Sequence, residues 1–178
     1  AILRNPSVID ENGTIDCWFL ADDGGLELLL AHILTGSTKK LRVLSLARVD
    51  QGEDPLELRA IVKHILKKFR IRAEVIVVPI STIQMPSYLS QTIWEQVTEN
   101  AGIRDDSTFR EKTLHFMRIS DAIRAYSSHS IITVVTLPLP LSSVPNSIYM
   151  RWLHLLSSIN SPVLFVRGNG TPALGWQL

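Results

Sequence analysis

The sequence predicts an α/β fold built around a mostly parallel β-sheet, and three observations support this. Short β-branched or apolar runs of strand length occur along the chain, the clearest at residues 75–78. Apolar residues at helical spacing separate these runs, most regularly over residues 58–69. A glycine turn at residues 22–25 joins the first run directly to a helix. Alternating strands and helices are typical of parallel sheets, because parallel strands need crossover connections.

Five strands are expected, each followed by one helix except the third, which is followed by two, and the last, which is followed by none. The first strand runs from Ile15 to the turn at residues 22–25, and the helix over 26–35 is apolar on more than one side. The remaining predicted strands are 41–47, 73–79, 131–137 and 163–166, and the remaining predicted helices are 55–69, 88–99, 109–126 and 146–159. Pro55 suits the first position of its helix. Residues 1–13 are expected to lead into the first strand.

Right-handed crossovers would place these helices on both faces of one sheet with strand order 3-2-1-4-5. The first predicted strand is then central, and the irregular connection over residues 80–107 carries the chain back across the sheet. A chain of 178 residues with 46% apolar residues can bury one full core. We therefore expect a single α/β domain over residues 1–178.

Composition narrows the range of functions. A formal net charge of +1 argues against a dedicated nucleic-acid binder. The single cysteine, Cys17, cannot form an intrachain disulfide, which favours a reducing compartment. No apolar run approaches the ~20 residues of a membrane helix, and no secretory signal is visible. Since the chain begins at Ala1 rather than methionine, we expect it to be a piece of a longer protein.

The turn Asp22-Asp23-Gly24-Gly25 lies where ligands often bind in parallel α/β sheets, at the carboxyl end of a strand. A helix N-terminus attracts phosphate, but the two aspartates would repel it. Paired carboxylates also suit magnesium, yet no phosphate-binding motif accompanies them. We interpret the turn as a corner in which an aspartate caps the helix and the glycines permit the bend.

Other candidate sites are weaker. The stretch Arg167-Gly168-Asn169-Gly170-Thr171 could line a nucleotide pocket, but a loop after an edge strand is favoured. The basic side of the helix over 55–69 could contact acidic lipids or RNA, although a solvated helix face is favoured in a near-neutral chain. The five histidines lack metal-ligand spacing, and no nucleophile elbow is present. The residues predict no catalytic, cofactor-binding or metal site.

Several stretches, in family order, resemble the distal part of the cytoplasmic C-terminal domain of cation-chloride cotransporters. They are residues 13–20, 22–26, 41–43, 68–71, 147–153 and 163–169. The Ser-x-Tyr-Met-x-Trp-Leu pattern of residues 147–153 and the Val-Arg-Gly-Asn sequence of residues 166–169 are more similar to the Na-K-Cl and Na-Cl branch than to the K-Cl branch.

The resemblance implies a universal-stress-protein-like fold on the cytoplasmic face of a membrane. It also implies an integral membrane parent whose upstream transmembrane domain moves chloride with sodium and/or potassium. The expected partners are a second copy of the parent, that transmembrane domain and regulatory kinases, with no nucleic acid. No ion-binding residue carries over to this chain. The alternative is a stand-alone nucleotide-binding protein of the stress-protein type.

Overall fold

The computed structural model describes residues 2–4, 13–20, 25–36, 39–99, 109–140 and 142–168. The chain divides into two compact units. The first unit comprises residues 1–81, 129–138 and 160–178, and contains the sheet with two helices. The second comprises residues 82–128 and 139–159, and contains three helices.

The first unit is organised around a six-stranded sheet. Its strands are β1 (Ile2–Arg4), β2 (Thr14–Trp18), β3 (Lys40–Arg48), β4 (Glu74–Ile80), β5 (Ile132–Thr136) and β6 (Val163–Val166). They lie in the order β1-β6-β5-β2-β3-β4. Strands β2 to β6 pair in parallel, so the predicted order of five parallel strands is confirmed, with β2 central. The likeness to universal stress proteins stays a prediction.

One strand was not predicted. β1, within the segment expected only to lead into the sheet, pairs antiparallel with β6. Three residues followed closely by Pro6 are too short to show a period, so no sequence pattern marks them. Because β1 covers β6, the prediction that the loop after Val166 follows an edge strand is wrong.

Two helices, α1 (Leu26–Thr35) and α2 (Pro55–Lys68), pack on the sheet of the first unit. They cover the sheet face that carries Cys17, Val43 and Val134, which are fully buried. The start of α2 follows from its sequence, since Asp54 accepts a hydrogen bond from the Leu56 N–H at 2.9 Å and Pro55 occupies the first helical position.

The second unit contains α3 (Tyr88–Glu99), α4 (Arg110–Ser127) and α5 (Asn146–Leu156). These three helices correspond to predicted ones, although α5 ends three residues early. At that end the Ser157 N–H bonds to the His154 carbonyl and the Ser158 N–H to the Leu155 carbonyl, so the last turn tightens. The core of this unit includes Trp94 and Trp152, and the Trp152 ring lies 4.7 Å from that of Phe116. No helix in the described ranges is long and apolar enough to cross a membrane.

Candidate functional site

At the carboxyl ends of the parallel strands, where ligands often bind in parallel α/β sheets, the described side chains form internal hydrogen bonds. Ser45 Oγ donates to the Phe19 carbonyl at 2.9 Å. Thr136 Oγ1 donates to the Trp18 carbonyl at 3.3 Å and accepts from the Leu20 N–H at 3.4 Å. Both hydroxyl groups are buried. These side chains hold neighbouring strands together and satisfy backbone groups that would otherwise be buried without a partner.

The glycine turn before α1 is confirmed only in part. Gly25 is the N-cap residue of α1 and adopts a left-handed conformation with φ 71°. The N-cap position is thus occupied by Gly25, whose left-handed backbone favours glycine over residues with a side chain, while the predicted aspartate cap falls outside the described residues. Asp22, Asp23 and Gly24 lie outside the described residues. Glu27, buried in the first turn of α1, places a carboxyl group where the helix dipole favours negative charge.

Arg167, which belongs to the stretch that could have lined a nucleotide pocket, bonds to the end of the sheet. Its Nη1 donates to the Leu137 carbonyl at 2.7 Å. The Leu137 N–H in turn donates to the Val166 carbonyl at 2.7 Å, extending the β5–β6 pairing by one residue. Residues 169–171 of this loop lie outside the described part of the chain. Arg167 thus acts as a structural residue in the described loop.

The strongest electrostatic feature of the first unit is a buried ion pair that sequence reasoning missed. Asp16 on β2 is fully buried, and Arg42 occupies the matching position on the neighbouring strand β3. Arg42 Nε donates to Asp16 Oδ1 at 2.8 Å, and Arg42 Nη2 donates to Asp16 Oδ2. Thr14 Oγ1 adds a bond to Asp16 Oδ1 at 2.9 Å. The hydrogen bonds to Asp16 raise the pKa of Arg42.

A sequence signal for this pair did exist. Each residue lies between two buried apolar residues of its own strand, at a position that becomes adjacent to the other once β2 and β3 pair in parallel. A lone acid in a buried strand needs a partner, so the strand order predicts an opposite charge on a neighbouring strand. Asp16 and Arg42 therefore fix the register of the two strands, because a slip of one residue would separate the charges.

The row of polar side chains continues on both sides of this pair. Thr133 on β5 matches Asp16, and Glu74 on β4 matches Arg42. The Thr133 hydroxyl is 2.7 Å from Ser130 Oγ and 3.0 Å from Ser161 Oγ, and all three are buried. The row combines the Asp16–Arg42 pair with a hydroxyl cluster around Thr133, and it contains no histidine or cysteine that could act as base or nucleophile.

A second polar cluster anchors the start of α3 in the second unit. Asp121 on α4 accepts from the Ser87 N–H at 2.7 Å, from the Ser87 hydroxyl, and from Ser90 Oγ at 2.7 Å. Arg124 Nη1 donates to the same carboxylate at 3.0 Å, and Arg124 Nη2 donates to Ser120 Oγ at 3.1 Å. Ser87 also caps α3 by accepting from the Ser90 N–H at 3.2 Å. We call these five residues the Asp121 cluster.

Arg151 is a buried cation in this unit. Its guanidinium lies over the Trp94 ring at 5.6 Å from the ring centroid, within the range of a cation–π interaction. Burial lowers the pKa of Arg151. The indole N–H of the adjacent Trp152 donates to Thr113 Oγ1 at 3.1 Å. These contacts join α5 to α3 and to α4, so Arg151 and Trp152 hold the three helices together.

Nothing in the described ranges forms a metal centre, since they contain no group of three or more His, Cys, Asp or Glu side chains placed to hold an ion. Cys17 is a buried free thiol, and desolvation raises its pKa well above the usual value. A thiol held in its neutral form is a poor nucleophile and a poor metal ligand.

Comparison with known proteins identifies the family. The sequence pattern of the family described as solute carrier family 12 matches residues 8–177, nearly the whole chain. This chain belongs to solute carrier family 12. Similar proteins are the bumetanide-sensitive sodium-(potassium)-chloride cotransporter of Manduca sexta, with 32% identity over 92% of the chain, and human solute carrier family 12 member 1, with 30% identity over 89%. Member 2 of Squalus acanthias is 29% identical over 88% of the chain.

The family assignment confirms the resemblance to cation-chloride cotransporters of the sodium-dependent branch. The chain spans only 17%, 17% and 15% of the length of these three relatives. By their names these relatives are transporters rather than enzymes.

Proposed function

We propose that this chain is a cytosolic regulatory and dimerisation domain of an electroneutral cation-chloride cotransporter. In this proposal, a membrane part outside the chain moves chloride together with sodium and/or potassium. One observation supports it above all: the solute carrier family 12 match covers residues 8–177, yet the chain spans about a sixth of its relatives. The whole family match therefore falls on a small, water-compatible α/β part of a much longer type of protein.

The polar clusters support a role without ion transport or catalysis. Ion pathways through membranes use ionisable and polar groups that remain available to the transported ion. Here the fully buried Asp16 is bonded to Arg42 and Thr14, and Asp121 accepts four hydrogen bonds from its own unit. Such bonded groups stabilise a scaffold, which suits a domain that assembles and regulates a transporter.

Exposed apolar side chains on the helices support self-association. Ile33 on α1 is 63% exposed, and Met150 on α5 is 49% exposed. In a symmetric dimer the same surface of both copies meets, so an apolar helix surface is complementary to itself. Regulatory kinases complete the proposal as partners that would modify the domain and so change the activity of the transporter.

A chimera tests the proposed function. In the Manduca sexta relative, the matched segment is deleted, replaced by this chain, or replaced by an unrelated α/β domain of similar length. We expect deletion to reduce surface delivery and bumetanide-sensitive chloride uptake, and this chain to restore both with the ion dependence unchanged. Equal restoration by the unrelated domain would contradict a specific role. A changed ion requirement would show that the chain carries ion-binding groups, and would also contradict the proposal.

A further inference from the structure

The most basic stretch of the chain covers residues 58–73, on α2 and the turn that follows it. It contains six lysines and arginines and no aspartate or glutamate: Arg59, Lys63, Lys67, Lys68, Arg70 and Arg72. Since the whole chain carries +1, the remaining residues together carry −5. The near-neutral total therefore conceals a strong local concentration of positive charge.

Three of these cations form a basic stripe along α2. Arg59, Lys63 and Lys67 follow one another at intervals of four residues, which places them in a line on the helix surface. All three are exposed, and none of them forms an ion pair with another residue that the structure describes. Like charges at this spacing repel one another and destabilise a helix. The stripe therefore lowers the stability of α2 in the isolated chain, and a negatively charged partner would remove this repulsion.

Favourable interaction with the helix dipole explains only some of the cations in this stretch. Cations in the last turn of a helix are favourable, which accounts for Lys67 and Lys68. The effect fades within one turn, so it does not account for Arg59 or Lys63. Arg70, beyond the helix, adopts a left-handed conformation with φ 57°, where glycine is the favoured residue.

The other side chains of this stretch distinguish between nucleic acid and lipid as the partner of the basic stripe. Leu56 is 74% exposed and lies three residues before Arg59, so an aliphatic side chain accompanies the cations on the outer surface of α2. The only Phe, Tyr or Trp in the stretch, Phe69, packs against the core, which leaves no such ring for stacking on nucleic-acid bases. Lysine and arginine beside exposed aliphatic residues are typical of helices that lie on anionic membranes.

We propose that the outer surface of α2, centred on the basic stripe, binds the anionic lipid headgroups of a membrane. The inference rests on the proposed function, which places the domain beside the negatively charged cytoplasmic leaflet that the parent transporter would span. The aliphatic side chain of Leu56 would enter the headgroup region, while the cations contact phosphate and carboxylate groups. The contact would orient the domain on the membrane.

Vesicle binding tests this inference. The chain is mixed with vesicles of phosphatidylcholine alone or of phosphatidylcholine and phosphatidylserine at about two to one, and bound protein is measured by co-sedimentation. We expect binding only to the anionic vesicles, and weaker binding at high salt. The variant R59Q/K63Q/K67Q should bind about a hundredfold more weakly, since each cation contributes about fivefold. The matched control K40Q/R110Q/K112Q removes three exposed charges elsewhere and should bind like the unmodified chain.

Equal binding of both variants, or equal binding to both vesicles, would overturn the inference. So would tighter binding to a homopolymeric RNA or to polyglutamate at the same concentration of negative charge, because either would make lipid the wrong partner. Circular dichroism establishes that both variants fold. If the chain restores transport in the chimera but does not bind anionic vesicles, this inference alone is refuted. If it binds the vesicles but does not restore transport, the proposed function is refuted.

Discussion

At the scale of single residues, Asp16 and Arg42 illustrate how burial changes the strength of an ion pair. Asp16 is fully buried and accepts from Arg42 through both carboxylate oxygens. In the exposed pair at the end of β3, the Arg48 guanidinium donates twice to Glu53 Oε1, and the Arg48 backbone N–H donates to Glu53 Oε2. Arg48 holds the pKa of Glu53 below its ordinary value, mainly through the side-chain hydrogen bond. Solvent screens that pair, so its contribution to stability is small.

We expect Asp16→Ala to lower the free energy of unfolding by about 3 kcal/mol, because it leaves Arg42 partly buried without its counter-charge. Glu53→Gln, the matched exposed control, should cost less than about 1 kcal/mol. Urea unfolding of both variants measures the difference. Similar losses in the two variants would contradict a register-fixing role for the buried pair.

Arg70 carries a second prediction at this scale. Its left-handed backbone costs about 1 kcal/mol relative to glycine, so Arg70→Gly should raise the thermal midpoint. Arg72→Gly is the control, since it removes the same charge and adds the same chain freedom at a residue without a left-handed φ. Calorimetry compares the two variants, and a loss of stability in both would show that Arg70 is not strained.

At the scale of elements, a helix or strand could be predicted from sequence only where it was long enough to show a periodic pattern of apolar residues. The apolar stripe of α2 and the β-branched run of β4 are long enough to show their periods, so both elements were predicted closely. β1 has three residues and depends wholly on pairing with β6. The Asp121 cluster was also missed, because its members come from separate elements that only the fold brings together.

The start of α3 depends on this cluster. Asp121→Ala should lower the free energy of unfolding by about 2 kcal/mol, since buried Ser90 and partly buried Arg124 lose their acceptor. Ser87→Ala should cost about 1 kcal/mol through loss of the cap. Thr92→Ala removes a hydroxyl on α3 that bonds only the Tyr88 carbonyl, and should change stability by less than about 0.5 kcal/mol. Equal effects in the three variants would contradict the anchoring role.

At the scale of the whole molecule, the polar side chains described at the carboxyl ends of the strands are bonded within the sheet, which disfavours nucleotide binding there. Ser45, Thr136 and Arg167 use their polar groups to bond the sheet to itself. We therefore expect millimolar ATP to leave the melting temperature unchanged, whereas a ligand at a hundred times its Kd would add about 2.7 kcal/mol of stability. A clear rise in the melting temperature would revive the stand-alone nucleotide-binding alternative.

The parallel order of five strands could be deduced because handed crossovers leave few topologies for alternating strands and helices. The hydrogen bonds at the carboxyl ends of the strands could not be deduced, because they depend on Thr136 and Arg167 reaching carbonyl groups distant in sequence. Family membership likewise required comparison with known proteins, since the same α/β scaffold serves many functions.

Self-association is the central claim of the proposed function, and sedimentation equilibrium tests it most directly. Over a range of protein concentrations, we expect the mass to rise from that of the 19.9 kDa chain to twice that value and then stop, as a closed symmetric dimer requires. A mass that stays at 19.9 kDa up to the highest concentration would contradict the dimerisation role.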